Sequence, residues 1–289
     1  MKNTLIPLIF KILGLFPLRL SRALGWAIGN LVWLFKGRNY RMTEKNLRKC
    51  LPELSAAELK TLIRESLVET SRTAAEAGAI WRNPWSWLQA QIVEVEGEDL
   101  LREELAKGKG LLVLAPHLGN WEVVAPYLAS VAPLTAMYQP FPIPALDEMI
   151  LSGRSKNNIN MAPTNRKGVA MLLRALQQGN IVGILPDQVP EKTAGGDVAN
   201  FFGRPAVTMS LVSSLIERTQ CRVVSTFAQR VPGGFKLITL PAAAEIYSAD
   251  QQESLLGLNL SVEACVRLAP AQYQWEYNRF RQLPKHLRD

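Results

Sequence analysis

His117 and Glu122, five residues apart in His117-Leu-Gly-Asn-Trp-Glu122, are the pair in this chain whose side-chain types could move a proton near neutral pH. The chain's other histidine, His286, sits in the basic stretch Lys285-His286-Leu287-Arg288-Asp289 at the C-terminus. An imidazole can take a proton from a hydroxyl while a carboxylate on its other ring nitrogen fixes the tautomer and stabilises the imidazolium that forms. Spacing limits where the two can meet. On one ideal helix, residues i and i+5 are turned roughly 140° apart and diverge. His117 is therefore expected in a loop and Glu122 on the first turn of the helix that follows, with Gly119 and Asn120 supplying the bend and a cap. The alternative is a hydrogen bond that only orders a helix start.

The elements that must position this pair are legible around it. Gly110-Leu-Leu-Val-Leu-Ala115 is a continuous apolar run closed by Pro116, the pattern of a strand buried on both faces. Trp121 to Ser130 reads as a helix. His117 then stands at the carboxyl end of a strand, where open α/β sheets place their ligands. Ile181-Val-Gly-Ile-Leu185 is a second buried strand, and Pro186-Asp187-Gln188 puts Asp187 at a strand's carboxyl end as well. Further strands are expected over 92–96 and 134–138, and a strand pair over 221–229 and 235–240 across Pro232-Gly-Gly. Helices are expected over 100–107, 147–155, 169–178, 209–219 and 255–268, and Ser55-Ala-Ala-Glu58 is a capping box opening a helix to about Gly78. Residues 195–208 read as a loop. Alternating strands and helices predict an α/β fold with a mostly parallel central sheet flanked by helices.

Charge is unevenly placed. The net charge is +8 over 289 residues, yet the first fifty hold ten Lys or Arg against one acid, Glu44, so the rest of the chain is near balance. Those basic residues alternate with apolar stretches, and the longest charge-free run in the segment, residues 23–35, is too short for a clean spanning helix. Basic, Trp-bearing, amphipathic helices of this kind lie in the interface of an anionic bilayer. Residues 1–38 are thus expected to be a membrane anchor, monotopic or weakly spanning, and 39–289 a catalytic domain. A signal peptide fits less well, because Lys11 and Arg19 interrupt the apolar region and no small-x-small cleavage site follows. A nucleic-acid arm is poorer still, since so much Leu, Ile and Phe serves no phosphate contact. A helical hairpin packed on the core is the remaining alternative.

Several chemistries lack a sequence candidate. Cys50, Cys221 and Cys265 are widely spaced and form no C-x-x-C. No G-x-S-x-G elbow, phosphate-binding glycine loop, G-x-G-x-x-G or metal-binding His pair occurs. No cofactor and no metal are expected, and no nucleic acid.

Five features in order carry a family resemblance: H-x-x-x-x-E at His117 and Glu122, Arg154-Ser-Lys-Asn-Asn158, Pro186-Asp187-Gln188, Phe202-Gly203 with Ala206 and Thr208, and Pro270-x-Gln272-Tyr273-x-Trp275-x-Tyr-x-Arg279-Phe280. Together they resemble the late acyltransferases of lipid A biosynthesis, within the lysophospholipid acyltransferase superfamily. The resemblance implies a glycerolipid-acyltransferase-like fold. It implies transfer of a fatty acyl group from acyl carrier protein to a hydroxyl of a lipid A precursor, at the cytoplasmic face of the inner membrane. His117 would be the general base and Glu122 its orienting partner. Arg154 would steady the developing oxyanion or an acceptor phosphate, and Asp187 would position acceptor hydroxyls or Arg154. Lys156 and Arg204 are candidate phosphate or carrier-protein contacts. Phe201, Phe202 and Trp121 are candidates for an acyl groove, and Arg279 and Arg281 are expected at the surface. Transfer to another glycolipid or lysophospholipid is the alternative within the class. A non-catalytic, membrane-peripheral lipid-binding protein is the alternative outside it.

Overall fold

The structure, a computed structural model, describes residues 2–155, 159–190 and 195–287. The chain opens with four helices, α1 (Lys2–Leu13), α2 (Leu18–Phe35), α3 (Arg38–Cys50) and α4 (Ala56–Arg82), followed by the short α5 (Trp85–Gln89). Strands and helices then alternate: β1 (Ile92–Glu96), α6 (Glu98–Ala106), β2 (Leu111–Leu114), α7 (Trp121–Val131), β3 (Leu134–Tyr138), α8 (Pro144–Ser155), β4 (Asn160–Pro163), α9 (Arg166–Gln177) and β5 (Ile181–Ile184). A two-stranded hairpin, β6 (Gly196–Phe201) and β7 (Arg204–Met209), precedes α10 (Leu211–Thr219). The chain closes with β8 (Arg222–Val231), β9 (Gly234–Pro241) and α11 (Gln251–Leu268).

Seven strands form one sheet in the order β1-β9-β8-β2-β5-β3-β4, parallel except for the β8–β9 hairpin. The expected α/β architecture is therefore present. Both central strands, β2 and β5, are buried along their whole length. Successive β2 side chains point to opposite faces, as strand geometry requires. Leu111 and Val113 pack with Val123, Val124 and Leu128 of α7, while Leu112 and Leu114 pack with Leu172 and Leu176 of α9 and Leu215 of α10. That two-sided burial is why β2 reads as an unbroken apolar run.

The sequence expectation departs from the structure in three informative places. Residues 196–209, read as a loop, form the β6–β7 hairpin, whose turn residues Phe202 and Gly203 both take positive φ, 49° and 70°. A two-residue turn of that kind favours Asn-Gly, and a Phe in its first position hides the signal. The four-residue β4 ends in proline and carries no alternation to find it by. Helix α4 runs past Gly78 to Arg82 because that glycine is a contact and no helix stop: a Cβ there would lie 2.4 Å from the Phe10 carbonyl oxygen of α1. The Ser55–Glu58 capping box forms as expected, each partner bonding the other's backbone N–H.

The N-terminal helices are packed against the body. Gly25 and Gly29 let α2 approach α4 so closely that a Cβ at Gly29 would meet the Val68 Cα at 2.4 Å. Gly29→Val is accordingly expected to force the helices apart and cost roughly 1–3 kcal/mol, more than any gain in helix propensity, read as a lower urea midpoint. The opposite face of these helices is bare. Of the fifteen large apolar residues exposed among the described residues, eleven lie between Leu5 and Phe35, with Leu15, Leu34 and Phe35 the most open at 64, 63 and 78%. Among the described residues no helix is long and apolar enough to cross a membrane.

Candidate active site

The parallel register of β2 and β5 builds the site. Leu114 pairs with Ile184, and the Ala115 N–H continues the ladder to the Ile184 carbonyl at 2.8 Å. His117 lies three residues beyond Leu114, and Asp187 three residues beyond Ile184. Equal overhang from paired strand ends brings them together. The Asp187 carboxylate takes His117 Nδ1–H on Oδ1 at 2.8 Å and the His117 backbone N–H on Oδ2 at 3.0 Å. Asp187 is 3% exposed, so burial disfavours its charged form, but the adjoining imidazole and N–H donors outweigh that and hold its carboxyl below the usual range. Burial, reinforced by the Asp187 charge, pushes the neighbouring Tyr273 hydroxyl up.

With Nδ1 committed as a donor, Nε2 is the accepting nitrogen of the ring. It faces the Gln188 side-chain amide at 3.1 Å, and the His117 ring stands edge-on to Trp121 with centroids 5.0 Å apart. The loop itself is held at the backbone. Gly119 N–H bonds the Gln272 carbonyl at 3.0 Å, Asn120 N–H the Ala228 carbonyl at 2.8 Å, and Gln274 N–H the His117 carbonyl at 3.0 Å. Gly119 has φ +63°, and a Cβ there would lie 2.0 Å from the Ala228 oxygen, so glycine alone fits between this loop and β8.

Glu122 does not fill the role the spacing suggested. It stands on the first turn of α7, as expected, but that turn directs it away to Arg154: Oε1 accepts from Nη2 at 2.7 Å and Oε2 from Nε at 3.3 Å. The Trp81 indole N–H also reaches Oε2, at 2.9 Å. The carboxylate that orients His117 is Asp187. Arg154 leaves the last turn of α8 and lies over the Tyr138 ring, 5.2 Å from its centroid. Two polar clusters thus occupy the carboxyl side of the sheet: His117 with Asp187 beyond β2 and β5, and Glu122 with Arg154 and Trp81 beside the end of β3.

Sequence reasoning missed the supports beneath them. Glu76, in the C-terminal third of α4 and fully buried, accepts from Arg22 Nε at 2.7 Å, from Arg230 Nε at 2.9 Å and Nη2 at 2.6 Å, and from Asn120 Nδ2 at 2.8 Å. The Arg22 guanidinium adds bonds to the Val231 and Gly234 carbonyls, so α2, α4, the β8–β9 turn and the His117 loop share one charged node. Burial opposes ionisation of Glu76, yet the two guanidinium groups hold its carboxyl below the usual range. A charge in an apolar helical stretch is the signal that marks such a node.

Arg279, expected at the surface, is 2% exposed and donates to the Val207 carbonyl and to Thr208 and Asn259. Arg281 is exposed, as expected. Phe201 and Phe202 are core residues packed with Tyr273 and Trp275, while Trp121 lies at the site. Arg204 is exposed, and Lys156 lies outside the described residues. Among the described residues no cluster of His, Cys, Asp and Glu could hold a metal.

The chain is similar in sequence to known proteins over most of its length. The lipid A biosynthesis lauroyltransferase of Escherichia coli (strain K12) is 27% identical over 264 residues, covering 91% of this chain and 85% of that protein. The palmitoleoyltransferase of the same strain is 26% identical over 264 residues, at 90 and 85% coverage. A lipid A biosynthesis acyltransferase of Haemophilus influenzae is 24% identical over 272 residues, at 91 and 82% coverage. The family described as bacterial lipid A biosynthesis acyltransferase matches residues 4–282, nearly the whole length, and the chain belongs to that family.

Proposed function

We propose that this protein transfers a fatty acyl group from acyl carrier protein to a hydroxyl of a lipid A precursor, with His117 as general base and Asp187 as its orienting carboxylate. The observation that carries the reading is the Asp187–His117 bond at the ends of two paired parallel strands, which leaves Nε2 as proton acceptor. The acceptor oxygen loses its proton to Nε2 as it attacks the thioester carbonyl. The C–O bond forms, the C–S bond breaks, and the imidazolium returns the proton to the leaving thiolate. General-base help of this kind is worth on the order of 100- to 10,000-fold. Arg154, braced by Glu122 and stacked on Tyr138, is the cation for an acceptor phosphate, a task suited to a planar, multiply donating group. The relatives' names, which specify lauroyl and palmitoleoyl transfer, support acyl transfer in lipid A synthesis as the reaction class.

Residues 1–38 are the membrane-contacting part and 39–289 the transfer domain, at the cytoplasmic face of the inner membrane. The exposed apolar face of α1 and α2, flanked by exposed Lys11, Arg19 and Lys36, supports an interfacial seat that need not span. Replacing Leu31, Leu34 and Phe35 together by Ser is expected to lower binding to anionic phospholipid vesicles by at least roughly tenfold, on a scale of one to three kcal/mol per buried side chain, measured by co-sedimentation.

Mass spectrometry of lipid A tests the function. A strain lacking the protein should yield lipid A short of one secondary acyl chain, restored by the wild-type gene. An unchanged lipid A profile counts against the reading.

A further inference from the structure

The accepting nitrogen of His117 is already occupied by a side chain that the base-and-carboxylate account leaves without a task. The Gln188 Nε2 amino group lies 3.1 Å from His117 Nε2 and also donates to Gln274 Oε1 at 3.3 Å. Gln274 is itself fixed at the backbone, its N–H bonding the His117 carbonyl at 3.0 Å. This chain has one consistent direction. The Asp187 carboxylate holds the ring proton on Nδ1, so His117 Nε2 accepts, and Gln274 presents Oε1 to Gln188. The Gln188 amino group must then face Oε1 and His117 Nε2, spending one N–H on each. Its placement is also covalent, since it follows Asp187 directly and shares the backbone beyond β5. The next residue is pinned too, its Val189 N–H bonding the Tyr277 hydroxyl at 2.8 Å.

An acceptor hydroxyl can reach Nε2 only by taking the place of that Gln188 N–H. The displaced amino group keeps its Gln274 anchor and holds one free N–H within a hydrogen-bond length of the attacking oxygen. The thioester carbonyl oxygen, one bond from the carbon under attack, becomes negative at that location. We propose that Gln188 is a further catalytic residue of this acyl transfer: it caps the base in the empty site and, once displaced by the acceptor hydroxyl, donates its freed N–H to the oxyanion of the tetrahedral intermediate. The atom balance of the transfer is unchanged, because Gln188 gives a hydrogen bond and no proton. Gln274 is a positioning residue that aims it. The assignment rests on the acyl-transfer reading above.

The test uses the full-length protein in detergent micelles with the lipid A precursor and acyl-carrier-protein thioesters, following ester formation. Gln188→Met keeps the length of the side chain and removes the donor. It is expected to lower kcat about 100-fold, the scale of losing one oxyanion donor, with KM for either substrate within about threefold. Gln188→Glu, of nearly the same volume, replaces the donor by an acceptor and should fall at least as far, which keeps the test readable should the methionine variant fold poorly. Gln274→Leu should give a smaller loss, again in kcat. A Gln188→Met kcat within threefold of wild type, a rise in kcat, or a loss carried by KM alone overturns the assignment while leaving the His117 chemistry standing. Wild-type protein that forms no ester overturns both.

Discussion

Replacing Asp187 by asparagine is expected to lower acyl transfer by up to about 10,000-fold without unfolding the protein, the scale seen when the buried carboxylate of a serine-protease triad is made an amide. The reason lies in hydrogen-bond direction. Asp187 can only accept, so it selects the tautomer with the proton on Nδ1 and leaves Nε2 bare toward the substrate. An amide can turn its NH2 to Nδ1, placing the ring proton on Nε2, where it blocks proton acceptance. The other Asp187 oxygen takes the His117 backbone N–H, a bond the amide oxygen can still accept, so the loop should hold its shape. The measurement is kcat on the lipid acceptor beside circular dichroism. A loss below about tenfold would show that the carboxylate is not what poises the base.

Glu76→Gln is expected to cost about 3 kcal/mol of folding stability, because it removes the anion that buried Arg230 and partly buried Arg22 share and leaves Glu69 as the carboxylate still paired with Arg230. Arg230 is 4% exposed at its side chain and Glu76 not at all, so solvent does little to screen the loss. The same node sets a pH dependence. The folded-state pKa of Glu76 is depressed relative to the unfolded chain, so its contribution is fully present above roughly pH 4.3, the ordinary glutamate value, and is lost as pH falls through the folded value. Asp187, depressed by its bonds to His117, acts in the same direction. Urea midpoints of wild type should therefore fall steeply on acidification, and those of Glu76→Gln less so. Parallel curves for the two proteins would show that Glu76 does not carry the effect.

The central strands and His117 were legible because a fully buried parallel strand leaves an apolar run and a loop residue at its end. What the sequence could not contain was adjacency. His117 and Asp187 are seventy residues apart, and only the pairing of Leu114 with Ile184 makes their strand ends neighbours. Glu122, five residues from His117, looked the nearer partner, and local spacing favoured it until α7 turned it toward Arg154 and Trp81. Arg279 misled in the opposite way: an arginine near a C-terminus reads as solvated, whereas here carbonyl and side-chain oxygens from β7 and α11 enclose it. The hairpin of β6 and β7 stayed hidden behind a phenylalanine at positive φ. The N-terminal helices had two readings, anchor or packed hairpin, and the structure combines their features: a glycine-lined face against α4 and an apolar face left open.

The account turns on one imidazole, and His117→Ala measures it most directly. Membranes or micelles carrying the variant, supplied with radiolabelled acyl carrier protein thioester and lipid A precursor, are expected to form ester at least about 100-fold more slowly than wild type, with membrane association and fold unchanged. Ester formation by a folded His117→Ala protein at the wild-type rate would contradict the account.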